Sequence, residues 1–269
     1  MTFKEKAVQH ATQYFDKGYF KKDLSELISV KTESQNNECN LENYYDQNII
    51  PMLVKMGFKC KVMENPLSKA NIILFAERIE NAEFSTILTY GHGDVVLDQD
   101  SCWDNGLSPY KLIEKDNRYY GRGTADNKGQ HLINIKALNS LLSVQKKLGF
   151  NFKILFEMGE EIGSPGLKAF CQQNKELLKA DVFIASDGPR ISQKIPTIFT
   201  GSRGGINFDL SVNLRDNAHH SGNFGGILKD PSIILSHAIA SITDARGQIN
   251  IPEWLPTSLT PDIKEILAK

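Results

Sequence analysis

The chain has 269 residues, and its 31 basic side chains nearly balance 32 acidic ones, which argues against an electrostatic nucleic-acid or membrane-surface binder. Hydrophobic residues at 41% and charged residues at 23% describe a globular chain long enough for one large α/β domain, or for one domain and part of a second. Cys39, Cys60, Cys102 and Cys171 contain no CxxC pair, so neither a disulfide framework nor a cysteine zinc site is expected. With reduced thiols, an N-terminus (Met1–Lys6) lacking an apolar signal core, and no apolar run of membrane-spanning length, the expectation is a cytoplasmic protein without nucleic-acid or membrane partners.

In chain order, apolar residues at helical spacing (Ala7, Ala11, Tyr14, Phe15, then Leu24, Leu27, Ile28) predict two helices over 3–30, parted by Gly18. Thr32 to Asn40 reads as a loop, and Asn40 as a cap for a helix from Leu41 to Met56 that Gly57 ends. Strands are expected at Phe58–Met63, Asn71–Ala76 and Thr86–Tyr90, with a hairpin around Lys115-Asp116-Asn117. A helical stripe (Leu132, Ile135, Leu138, Leu142) closes at Gly149, and strand Phe152–Phe156, helix Gly166–Leu178 and strand Val182–Ala185 follow. This alternation predicts an α/β layer on a largely parallel sheet. After Arg190 the pattern changes: Ile206 to Leu214 alternates like a strand with one wet face, and Pro231–Ala245 reads as a helix. A second, α+β domain is therefore expected from residue 199 onward.

Four stretches carry chemistry, each placed as a strand or hairpin ends. Phe156-Glu157-Met158-Gly159-Glu160-Glu161-Ile162-Gly163-Ser164 joins an apolar run to adjacent carboxylates. Two like charges side by side suit a cation, one glutamate binding it and the other exchanging protons with a bound water. By itself the pair would more often be a solvated strand end. In Tyr90-Gly91-His92-Gly93-Asp94, residues i and i+2 face the same way, so Asp94 can take the second N–H of a ligating His92. Tyr120-Gly121-Arg122-Gly123-Thr124-Ala125-Asp126 brings Asp126 to a helix start, and its glycine spacing matches neither a Walker loop nor a dinucleotide fingerprint. Val182 to Pro189 runs a strand into Asp187. One histidine with several carboxylates and no cysteine suits Zn²⁺, Co²⁺ or Mn²⁺.

The order GHGDVV, YGRGTADNKGQ, FEMGEEIGSPGL, ASDGP resembles the M20 family of metallopeptidases, above all its dipeptidase-like branch. The resemblance implies a zinc-exopeptidase-like (phosphorylase/hydrolase-like) α/β catalytic domain, here residues 1–198. It also implies an α+β lid or dimerisation domain, 199–269, and a homodimer formed through that lid. Two divalent metal ions are implied, zinc first, then cobalt or manganese. His92 and Asp187 would bind one, Asp126 would bridge both, and Glu161 would bind the second. Glu160 would be the general base and Asp94 would steer His92. Asn217–Gly226 resembles the lid's HSG-x-x-GG stretch, which makes His220 the residue that reaches a substrate carbonyl. His10, His131 and His237, on predicted helices, are read as structural.

The implied reaction is hydrolysis of a peptide or amide C–N bond in a small peptide, a dipeptide first. N-acyl amino acid deacylation or desuccinylation by the same metals is the alternative, and a truncated, non-catalytic homologue a third reading. Family members are longer, and their returning segment supplies a second histidine beside the residue matching Glu161. None of the six histidines here stands in that position, so both domains are expected to be incomplete at the C-terminus, with weak metal binding and little hydrolysis by these 269 residues.

Overall fold

The computed structural model describes residues 1–36, 39–188, 190–192, 194–199 and 204–268; Pro189 of the fourth motif and residues 37–38 of the Thr32–Asn40 loop lie outside them. It divides into two compact units, Met1–Arg190 and Ile191–Lys269.

The first unit opens with helices α1 (Phe3–Asp16) and α2 (Tyr19–Ser29) on either side of Gly18, whose φ of 75° gives the left-handed turn between them. Thr2 and Glu5 form a capping box on α1. The third predicted helix is interrupted: α3 (Glu42–Tyr44) passes through a π turn (Tyr45–Ile49) into α4 (Ile50–Lys55). Pro51 offers no N–H and its ring crowds the preceding turn, and a widened turn at that point relieves both. Strands β1 (Lys59–Met63), β2 (Ile73–Arg78) and β3 (Thr86–His92) follow, then the hairpin β4 (Ile113–Lys115) and β5 (Arg118–Tyr120). Asp116 and Asn117 turn that hairpin with φ of 51° and 58°, as a two-residue turn requires. Helix α5 (Lys128–Gln145), strand β6 (Asn151–Glu157), helices α6 (Leu167–Gln173) and α7 (Lys175–Leu178), and strand β7 (Val182–Ala185) complete the unit. The single helix expected over Gly166–Leu178 is broken at Asn174, whose side-chain amide donates to the Phe170 carbonyl at 2.9 Å.

The sheet runs β1-β2-β6-β3-β7 and is mixed, which corrects the expectation of a largely parallel one. β1 and β2 pair antiparallel, as do β2 and β6; β3 pairs parallel with β6 and with β7. Helical crossovers explain the division. β3, β6 and β7 are separated by α5 and by α6–α7, whereas β1 and β2 are joined by a short loop that can only fold back. Every residue of β6 is buried because both sheet faces are covered. On one face Leu24, Leu27, Ile28, Tyr45, Leu53, Leu132 and Phe156 share the main core; on the other Ile73, Leu155 and Phe170 form a smaller cluster. At the far edge Val182, Phe183 and Ile184 of β7 are exposed.

In the second unit α8 (Ser221–Phe224), α9 (Pro231–Ile242, capped by the Asp230 side chain) and α10 (Pro261–Leu267) are the α-helices among the described residues, with a 3-10 turn at Pro252–Trp254. The expected strand from Ile206 to Leu214 is not formed: the segment pairs with no other among the described residues. Its alternating pattern fits a sheet surface, but a strand exists only by hydrogen bonding to a neighbour, and none is offered here. Among the described residues no helix is long and apolar enough to cross a membrane.

Candidate metal centre

The register of the parallel strands decides where the acids meet. Tyr90 lies beside Leu155 and Ala185, and His92 beside Glu157, so β3, β6 and β7 end side by side. Their following segments carry His92 to Asp94, Glu160 and Glu161, and Asp187 to one sheet edge, the C-terminal edge where open α/β sheets place their sites. Asp126 arrives from the connection in front of α5.

His92 is fully buried and forms the floor of this cluster. Its Nδ1–H donates to the Asp94 carbonyl at 3.0 Å, with Asp94 Oδ1 at 3.3 Å. Nε2 faces the acids: Asp126 Oδ1 at 2.9 Å, Asp187 Oδ2 at 3.5 Å and Glu160 Oε2 at 3.8 Å. The Asp126 side chain is 65% exposed against 0% for His92, so the cluster is closed from below and open above. One ligand atom each from His92, Asp126 and Asp187 lies within 4.8 Å of the others, and among the described residues no other His, Cys, Asp or Glu set forms such a group. Glu161 follows Glu160 on the same turn but contributes no atom to that trio. His220 belongs to the second unit, where it is exposed and its Nδ1 accepts from the Gly222 N–H at 3.1 Å, capping α8.

Electrostatics reflects the excess of negative charge. Burial works against a charged His92, but its hydrogen bonds to Asp126, Asp187 and Asp94 outweigh it and push the imidazole up to about 12. The His92 hydrogen bond in turn lowers Asp126. Glu160 and Glu161 are both raised, first by burial and then by neighbouring carboxylates, Asp187 foremost for Glu160 and Asp126 for Glu161. Asp94, Asp126, Asp187 and Glu160 thus face one imidazole. A divalent cation fits this donor set of one ring nitrogen and several carboxylate oxygens, and it would offset the repulsion that adds to burial in raising the glutamates.

The glycines on either side of His92 are dictated by close packing. A Cβ at Gly91 would stand 2.8 Å from Phe156 Cε1, and one at Gly93 2.7 Å from Met158 Cε and 2.8 Å from Tyr44 Cε1. The loop can therefore sink His92 into the core only with bare backbone beside it.

His131 is structural, as expected, but its partners and several other supporting residues escaped sequence reasoning. Asn127 Oδ1 accepts from the His92 N–H at 3.2 Å and lies 3.2 Å from His131 Nδ1, while Tyr44 Oη lies 2.6 Å from His131 Nε2. Burial drives His131 down to about 3, so it is neutral, with Nδ1–H donating to Asn127 and Nε2 accepting from Tyr44. Lys128 is buried and donates to the Leu27 and Val30 carbonyls at 3.0 and 2.7 Å, tying the start of α5 to the end of α2. Burial takes its ammonium down to about 7. Gln130 and Asn134 reach Gly188 O at 3.1 Å and Ser186 Oγ at 2.8 Å, holding the segment that carries Asp187 against α5. The one signal in the sequence was the polar run Asn127-Lys128-Gly129-Gln130 at the start of a helix with an apolar stripe.

Comparison with known proteins places the chain in a family. The family model for peptidase family M20/M25/M40 matches residues 88–251, a span containing every residue of the cluster. The "Beta-Ala-His dipeptidase" of Mus musculus is 38% identical over 184 residues, covering 67% of this chain and 37% of that protein. The "Cysteinylglycine-S-conjugate dipeptidase" of Corynebacterium striatum is 38% identical over 170 residues, 62% of this chain and 36% of that protein. The crystal structure of human carnosine dipeptidase 1 superposes with a TM-score of 0.69 at 24% identity, over 98% of this chain and 58% of that one, a likeness of fold. The chain thus spans little more than a third of the length of these curated relatives. With the family model matched across most of its length and across all four motifs, the chain belongs to peptidase family M20/M25/M40.

Proposed function

We propose that this chain carries the cation-binding part of a dipeptidase that hydrolyses the C–N bond of small peptides. The observation that carries the reading is the convergence of His92, Asp126 and Asp187, three separated motifs, within 4.8 Å of one another. The relatives' names, a Beta-Ala-His dipeptidase and a cysteinylglycine-S-conjugate dipeptidase, support dipeptides as substrates ahead of N-acyl amino acids. His92, Asp187 and Asp126 would hold one divalent ion, and Asp126 with Glu161 would contribute to a second, with zinc the first choice at both. When bound, such ions polarise a carbonyl oxygen and acidify water.

The chain's own residues divide the remaining work. Glu160, raised by burial and by Asp187, takes a proton from the attacking water and returns it to the leaving nitrogen. Asp94 receives the Glu160 and Glu161 N–H groups at 3.2 and 3.1 Å, and so holds the turn beside His92. His220, carried by the lid, would reach the active site of a partner subunit and offer a hydrogen bond to the substrate carbonyl there. We assign residues 1–198 to the catalytic domain and 199–269 to a lid that pairs two subunits, and the location to the cytoplasm.

The substrate class is tested by incubating the purified chain with zinc and a panel of dipeptides and N-acetyl or N-succinyl amino acids. Dipeptides are expected to be cleaved at least about tenfold faster, the scale of one binding contact in discrimination. Faster release of acetate or succinate would overturn the dipeptidase reading.

A further inference from the structure

Glu157 is a buried carboxylate that the reaction above leaves without a task. It stands at the end of β6, 1% exposed, beside His92 in the strand register. Two hydroxyls donate to the same oxygen, Oε1: Tyr90 from β3 at 2.6 Å and Ser164 at 2.8 Å. Ser164 closes the turn that carries Glu160 and Glu161. Its N–H reaches the Gly159 carbonyl at 2.8 Å, and its φ of 52° is a left-handed conformation that a serine adopts only when its surroundings hold it there. At the other end of the turn, the Asp94 carboxylate accepts the Glu160 and Glu161 N–H groups. The segment is therefore fastened at its start from the loop after β3 and at its close from the end of β6. Without Glu157, the Ser164 hydroxyl and the Tyr90 hydroxyl lose their shared acceptor in a buried place, and nothing else on β6 restrains the turn's end.

We propose that Glu157 is a positioning residue: its carboxylate, shared between Tyr90 and Ser164, fixes the turn that presents Glu160 and Glu161 to the cation cluster. Neither Tyr90 nor Ser164 needs to touch substrate. The proposal rests on the reading of Glu161 as a ligand of the second cation, and its test separates the two.

Cobalt titrations of the purified chain, followed by calorimetry, would be run on the wild type, Glu157→Leu, Glu157→Gln and Ser164→Gly, with amide hydrogen exchange over 158–165 on the same samples. Glu157→Leu is expected to weaken the later, Glu161-dependent binding phase about tenfold or more, the usual cost of losing a group that orients a ligand, and to leave the first phase within about twofold. Glu157→Gln keeps a carbonyl oxygen able to accept both hydroxyls and should restore the second phase. Ser164→Gly tolerates the left-handed turn but removes one hydroxyl, so it should weaken that phase less than Glu157→Leu does. Should Glu157→Leu fail to fold, Ser164→Gly carries the test, and an unchanged second phase there overturns the proposal. Equal weakening of both phases by Glu157→Leu would also overturn it, because that marks general destabilisation. If Glu161→Ala leaves the second phase intact, the ligand reading fails instead. The staple then stands or falls on exchange at Gly159 to Ser164, with faster exchange in Glu157→Leu supporting it and unchanged exchange overturning it.

Discussion

Replacing Glu160 by glutamine is expected to lower dipeptide turnover by about 10²–10⁴-fold, the range that a positioned general acid–base contributes, with cation affinity at the His92 cluster nearly unchanged. Both glutamates stand outside the trio of ligand atoms and both are raised first by burial; we assign the proton to Glu160, the one that faces His92 Nε2. Glu160 Oε2 is 3.8 Å from His92 Nε2, outside the trio of ligand atoms, and its carboxyl is raised by burial and then by Asp187 among its acidic neighbours. A raised carboxyl is a better proton acceptor at neutral pH, and a residue outside the trio can gain and lose a proton without releasing a cation. Glutamine keeps the shape, and Asp94 would still hold the backbone of the turn. The complementary variant, Glu161→Gln, should weaken binding of a second cation. Steady-state kinetics with zinc in excess, beside calorimetric titration, reads both. If Glu160→Gln loses cations while Glu161→Gln loses turnover, the two roles are exchanged.

Binding of the ion at His92 is expected to release about one proton at neutral pH, and its affinity to fall about tenfold for each unit the pH is lowered. The reason lies in the cation-free cluster, where Asp126, Asp187 and Asp94 push His92 up to about 12 against the effect of burial. An imidazole can offer Nε2 to a metal only when that nitrogen is unprotonated, and Nδ1 keeps its proton for the Asp94 carbonyl. The proton on Nε2, shared with Asp126 at 2.9 Å, must therefore leave as the ion enters. Titrations in two buffers of different ionisation heat measure this directly. Enthalpies that do not depend on the buffer would mean that His92 is neutral before the ion binds, or that it does not bind the ion.

Much of this architecture was legible because hydrophobic period and strand-end acids are local signals. Most elements from Phe3 to Ala185 were readable, apart from the π turn at Tyr45–Ile49 and the helix break at Asn174, as was the sequence of four motifs, each at the end of a strand or hairpin. What else failed depended on pairing between distant segments. Ile206 to Leu214 alternates correctly, yet alternation does not supply a neighbour, and the segment stays unpaired among the described residues. The direction of β2 could not be read from its own residues, since parallel or antiparallel pairing is set by the connection to β6 and not by composition. The supports of the site were hidden for a similar reason. Asn127 and His131 act through one another and through Tyr44, 87 residues before His131 in sequence. Glu157 acts through Tyr90, 67 residues before it. The glycines at 91 and 93 were visible, but only the packing of Phe156, Met158 and Tyr44 shows why nothing larger fits.

The claim on which the account rests is that His92, Asp126 and Asp187 form one cation site. Equilibrium dialysis against low zinc, with metal analysis of the wild type, His92→Ala and Asp126→Asn, tests it most directly. The wild type should retain about one ion, held less firmly than a complete ligand set would hold it, with any second weaker still because Glu161 lies outside the trio. His92→Ala should retain none while its circular dichroism still shows a folded chain, and Asp126→Asn, altered at a side chain that is 65% exposed, should lose affinity without loss of fold. Zinc held equally well by folded His92→Ala would contradict the account.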